Sequence, residues 1–172
     1  MPSDVDYPAL IFLSLWAGLG IVYDGRSRRL PNGLTLGGLA AGLGYLAVAG
    51  EGVTGASWQS CLLAGAAGLA LMLLAYVLKA VGAGDVKFTA AAGVLGGGAV
   101  LMATLVLGSI LLAAMALWSL VANGRFPLLS AVLYRIGIRP VAMASWKPRR
   151  HLPFGVAHGI AFIVAIWSGW TL

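Results

Sequence analysis

The stretch Gly82–Ala122, GAGDVKFTAAAGVLGGGAVLMATLVLGSILLAAMALWSLVA, decides how this chain folds. From Val86 onward it is apolar for longer than one bilayer crossing needs, since a helix rises 1.5 Å per residue and about 20 residues span the hydrocarbon core. Gly96-Gly97-Gly98 is the natural break, so the run reads as two helices, Val86–Leu95 and Ala99–Ala122. At its leading edge stands Asp85, an ionisable group where ionisable groups are costly and functional by default.

Working outward, further apolar segments run over Pro8–Val22, Leu34–Ala49, Ser60–Leu78 and Leu152–Trp170. The chain has 172 residues, 60% hydrophobic and 9% charged, with a mean hydropathy of +0.96. Soluble domains carry about 25% charged residues. The expected fold is therefore all-α, a polytopic membrane protein with about six transmembrane helices at about 20 residues each. Residues 1–172 are expected to form a single integral-membrane domain. Gly33-x-x-x-Gly37, Gly38-x-x-x-Gly42 and Gly93-x-x-x-Gly97 have the small-residue spacing of close helix interfaces.

Charge sets the expected topology. Arg26, Arg28 and Arg29 follow the first segment, Lys79 and Lys87 flank the loop before the fourth, and the other basic residues lie between Ala122 and Leu152. With about six spans all of them fall on one side, which the positive-inside rule makes cytoplasmic. Asp4, Asp6 and Glu51 fall on the other. Both termini are then expected outside, and residues 123–151 form a basic cytoplasmic loop. Its Leu128, Leu129, Val132, Leu133 and Ile136 make a helical apolar stripe suited to lying on an anionic leaflet. The first segment, preceded by Asp4 and Asp6 rather than by basic residues, reads as a retained helix and not a signal peptide. The net charge of +6 is thus explained by topology and membrane lipids, with no nucleic-acid partner implied.

Asp24 ends the first segment on the same side as Asp85. Two carboxylates within a few ångströms cannot easily both ionise; one keeps a proton while the other serves as base. Such a pair can deprotonate water and protonate a carbonyl oxygen or a leaving amine. Gly82 and Gly84 permit close approach of a neighbouring helix or an extended peptide beside Asp85, although Asp85 also suits a helix N-cap. Lys87 could hold a carboxylate ionised or bind a lipid phosphate. Pro31 and Asn32 read as a turn into the second segment, with Asn32 as a helix cap. Pro153 suits the first turn of the last helix, and Gly155 allows close packing there. His158 is expected to be packed rather than to line a site. Cys61 is the only cysteine, and neither it nor His151 and His158 form a metal-binding pattern, so no metal or cofactor is expected.

Asp24, Leu30-Pro31-Asn32, Gly82-Ala83-Gly84-Asp85-Val86-Lys87 and Pro153-Phe154-Gly155, in this order and membrane placement, resemble the prepilin peptidases, or type IV leader peptidases, of the GxGD aspartic membrane protease group. The resemblance implies that Asp24 and Asp85 are the two catalytic aspartates, with the remaining motif residues supporting the site or the substrate. It implies cleavage of the short basic leader of a prepilin or pilin-like protein at the cytoplasmic face of the inner membrane. Many members carry a cysteine-bearing cytoplasmic domain and N-methylate the new terminus. With residues 1–7 alone ahead of the first segment and no cysteine cluster, methyltransferase activity is not implied. The family commonly continues Pro-Phe-Gly with Pro, where this chain has Val156. The short form most resembles peptidases of tight-adherence (Flp) pilus systems, and archaeal-type preflagellin peptidases are of similar size. Two other classes compete: a small proton-coupled transporter, which usually places its carboxylates near the midplane on broken helices, and a noncatalytic pilus or secretion assembly subunit, which would tolerate loss of either Asp.

Overall fold

The computed structural model describes residues 7–122, 135 and 153–169. These form α1 (Tyr7–Ser27), α2 (Asn32–Ala49), α3 (Trp58–Val77), α4 (Ala83–Ala122) and α5 (Phe154–Trp167). The one β feature among them is an isolated antiparallel bridge between Glu51 and Ser57. The first four helices are long and apolar enough to cross a membrane, and α5 is a shorter apolar helix of 14 residues. Apart from Arg135, the basic segment 123–151 lies outside the described residues, as do both termini.

The long α4 is not straight. At Gly97 the backbone takes φ 74° and ψ −176°, a region that residues bearing a Cβ rarely enter. The chain folds back there. Val86 and Leu112 belong to one apolar cluster, though a straight helix would hold them about 39 Å apart at its 1.5 Å rise. Gly96 approaches Phe162 while Gly108 lies against His158, so the two arms of α4 run in opposite senses along α5. The expected division into two helices at the glycine triplet therefore matches the backbone.

A break of this kind frees backbone groups that a low-dielectric surround cannot leave unpaired. The loop between α2 and α3 and the first turn of α3 supply partners: the Thr54 hydroxyl donates to the Gly96 carbonyl at 3.1 Å, and the Gly98 amide donates to Ser60 Oγ at 3.0 Å.

α1 runs further than its apolar segment. It continues through Asp24, Gly25 and Arg26 to Ser27, where Arg28 turns left-handed at φ 53° and donates its amide to the Asp24 carbonyl at 3.0 Å. Hydropathy marks only the part of a helix that needs an apolar surround, and backbone hydrogen bonding carries it past that limit. Asp24 thus sits inside the last turn of α1 rather than after it.

The core ties four helices through Trp16. Its ring stacks on Phe88 of α4 at 4.7 Å between centroids and meets Phe162 of α5 edge-on at 5.7 Å, and its indole N–H donates to the Leu34 carbonyl of α2 at 3.0 Å. Aromatic pairs of these geometries contribute about 0.5–1.5 kcal/mol each beyond area burial. Gly38 lets α2 close over the indole. Ile11, Phe12, Leu15 and Leu19 on α1, and Leu62, Leu63, Leu69 and Leu73 on α3, remain exposed; lipid is the natural solvent for such faces.

Candidate active site

Three helix ends, of α1, α2 and α4, meet around a cavity of about 300 Å³, whose walls include Asp24, Arg28, Arg29, Leu30, Asn32, Gly82, Ala83, Gly84, Asp85 and Lys87. Asp24 comes from the last turn of α1 and Asp85 from the first turn of α4. Their carboxylates are near enough for the two charges to repel. The fold therefore brings together the two acidic groups that the sequence places on one side of the membrane.

Each carboxylate is held by a backbone amide at a helix start. The first amides of a helix have no partner within it and carry the positive end of its dipole. Asp85 accepts the Gly82 N–H through Oδ2 at 2.9 Å. The Gly82 carbonyl in turn accepts from the amides of Asp85 and Val86, so Gly82 occupies the cap position. Asp85, three residues on, is not the N-cap that it also suited in sequence; it makes the return half of a capping box. Asp24, only 6% exposed, accepts the Val156 N–H through Oδ2 at 3.0 Å, from the first turn of α5.

The glycines beside these groups make room for main chain and carboxylate. A Cβ on Gly84 would stand 3.0 Å from Leu30 Cβ and 3.4 Å from the Leu30 amide nitrogen, so Gly84 lets the Leu30-Pro31 turn lie on the start of α4. A Cβ on Gly82 would come 3.3 Å from Asp85 Oδ2.

Other sequence expectations need correcting. Pro31, at φ −67° and ψ 142°, is the N-cap of α2, and no side chain caps that helix. Asn32 is instead its first residue, and its Oδ1 accepts the Lys87 ammonium at 2.8 Å. A terminal amide points wherever a neighbouring donor lies, and that donor comes from α4, 55 residues on in the chain. Pro153 likewise stands one position ahead of the first turn of α5, as its N-cap. Its carbonyl accepts the Ala157 amide at 3.3 Å. His158 is 2% exposed, stacks on Phe154 with centroids 3.6 Å apart and shares a 3.2 Å hydrogen bond with the Phe154 carbonyl. It is a packed residue, as expected, and no part of the cavity wall.

Two wall residues are read from the sequence chiefly as topology determinants and headgroup contacts near the site. Arg28 and Arg29 line the cavity, and the Arg28 charge acts on Asp24. The signal was the spacing from Asp24 to Arg28, one helical turn, legible only once α1 is known to continue past Val22. The Val156 amide was invisible to any reading of side chains.

Long apolar helices, one folded back on itself, and two helix-end carboxylates sharing a cavity define a polytopic membrane protein with an acidic site. The sequence matches the type IV leader peptidase family over residues 11–117, more than half of the chain, and the protein belongs to that family. It is accordingly a multi-pass membrane protease of the prepilin peptidase kind. The matched region includes both aspartates and ends before α5. No curated protein and no solved structure matches the chain.

Proposed function

We propose that this protein is an aspartic endopeptidase in which Asp24 and Asp85 cleave the basic leader from a prepilin or pilin-like protein, at the cytoplasmic face of the inner membrane, as in the short-form peptidases of tight-adherence pili. The observation that carries this reading is the shared cavity with one amide anchoring each carboxylate. Anchoring one oxygen of a carboxyl group fixes where the other points, which is what positioned acid–base chemistry requires.

The chemistry follows from a pair sharing one proton. The ionised carboxylate takes a proton from water as the water oxygen bonds to the scissile carbonyl carbon, and the protonated carboxyl gives its proton to the carbonyl oxygen. The tetrahedral diol then collapses: the carboxyl that took the proton from water gives it to the leaving amine as the C–N bond breaks, and the other carboxylate takes a proton from one diol hydroxyl as the new carbonyl forms, which restores the pair. Neither the transporter nor the noncatalytic reading is favoured: both carboxylates lie at helix ends, and the matching family is one of leader peptidases.

The direct test is incubation of the purified protein with candidate prepilins, followed by mass spectrometry of the product. A new N-terminus just ahead of the hydrophobic segment is the expected result; an intact substrate from every candidate would sink the reading. Topology is tested separately. Reporter fusions after Gly50 and Leu172 should report outside, and those within Arg26–Arg29 and Phe126–Arg150 inside. A cytoplasmic C-terminus would require the spans to be rebuilt.

The cavity's cations bear on recognition. Arg28, Arg29 and Lys87 line it and would not attract a basic leader by long-range charge. The anionic leaflet does that, at about 1 kcal/mol per basic residue, so selectivity falls to the substrate's hydrophobic helix and to an extended cleavage segment. A soluble leader peptide lacking that helix should therefore show a much lower kcat/KM than full-length prepilin in detergent–lipid micelles. Equal values would shift recognition to the cytoplasmic loops.

A further inference from the structure

The start of α5 touches Asp24 in two ways. Val156 donates its amide to the carboxylate, and Gly155 leaves empty the space the carboxylate occupies. A Cβ at position 155 would stand 2.9 Å from Asp24 Cβ, 3.0 Å from Cγ and 3.1 Å from Oδ2. Asp24 Cβ is fixed to the backbone of α1 and cannot swing aside, so the contact with Cβ is relieved by a parting of the helices, and those with Cγ and Oδ2 also by a rotation of the side chain. Either movement carries the carboxylate off the Val156 amide and changes its approach to Asp85.

The rest of the α1–α5 contact resists parting. The helices pack antiparallel, with Trp167 Nε1 donating to Ser14 Oγ at 2.9 Å at the far end and Gly159 lying against Ile21 and the Ala17 carbonyl in the middle. Strain introduced at position 155 is thus directed into the side chain of Asp24. We propose that Gly155 is a positioning residue for the reaction: its missing side chain seats the Asp24 carboxylate on the first turn of α5 at the geometry the carboxylate pair needs. This rests on the peptidase reading of Asp24 and Asp85.

Gly159 provides the control. A Cβ there would meet Ile21 Cγ1 at 2.6 Å and Cδ1 at 3.2 Å, loading the same helix contact without reaching a carboxylate. Gly155→Ala should lower kcat on prepilin about 10- to 100-fold, since a misplacement near 1 Å costs about 100-fold, with KM within about twofold. Gly159→Ala should keep the wild-type kcat. A second readout needs no substrate: Gly155→Ala should lower the thermal midpoint in micelles, and Asp24→Ala added to it should recover part of the loss, because Cγ and Oδ2 are then gone. Wild-type kcat in Gly155→Ala, an equal fall in Gly159→Ala, or additive midpoint losses in the double variant would each overturn the proposal. If the wild type cleaves no prepilin, the peptidase reading falls, while the midpoint cycle still decides whether Gly155 seats Asp24.

Discussion

Asp24→Asn and Asp85→Asn should each reduce leader cleavage by about 10²–10⁴-fold, the range that a positioned acid or base contributes, while leaving the protein inserted and folded. An amide can neither take a proton from water nor share one across the pair, so either substitution removes half of the proposed chemistry. The structure explains why folding should survive. Each aspartate meets the backbone as an acceptor, from Val156 N–H and Gly82 N–H, and the side-chain carbonyl of asparagine accepts the same bond in the same place. Processing is measured with purified, quantified protein and mass spectrometry of the substrate terminus. Either variant processing at the wild-type rate would mean that the pair is not the catalytic one.

The largest effect on the fold should come from Gly93. A Cβ there would lie 2.7 Å from the Ala64 carbonyl carbon and oxygen and 2.8 Å from the Gly65 nitrogen. These are backbone atoms of α3, which cannot rotate away, so the helices themselves must separate. In lipid, helices associate through close packing rather than through the hydrophobic effect, and a spacer at the closest point removes that contact along its length. Gly93→Ala should cost about 1–3 kcal/mol, the usual range for overpacking, and Gly93→Leu should prevent a folded protein from being recovered. Gly37 faces open space, and Gly37→Ala should leave the midpoint within about 2 °C, roughly what 0.5 kcal/mol shifts in a domain of this size. Midpoints in one detergent compare them directly. A stable Gly93→Leu protein would show that α3 and α4 do not meet as described.

These two glycines show where reading a sequence stops. Gly33-x-x-x-Gly37, Gly38-x-x-x-Gly42 and Gly93-x-x-x-Gly97 have identical spacing, yet Gly33 and Gly37 meet nothing within 4 Å, Gly38 and Gly42 pack on Trp16 and on Val94 and Leu95, and Gly93 lies on the α3 backbone. Spacing places residues on one face of a helix; it does not say which way that face is turned.

What the sequence determined by itself was whatever depends on local chemistry. The excess of apolar residues demanded helices, because a bilayer leaves backbone groups no other partner. The apolar stretch through Gly97 was too long to cross once, and a glycine there could adopt the backbone that folds it back. The basic residues around Asp24 and Asp85 led to the expectation, which the reporter fusions test, that both lie on the cytoplasmic side. Only the tertiary structure decided the rest: that Asn32 takes the Lys87 ammonium instead of capping α2, that Arg28 and Arg29 line the cavity, and that Gly155 and the Val156 amide hold Asp24. Each depends on groups far apart in the chain meeting at one depth and one rotation of their helices. That rotation is set by how whole helix surfaces fit together, and no single segment carries it.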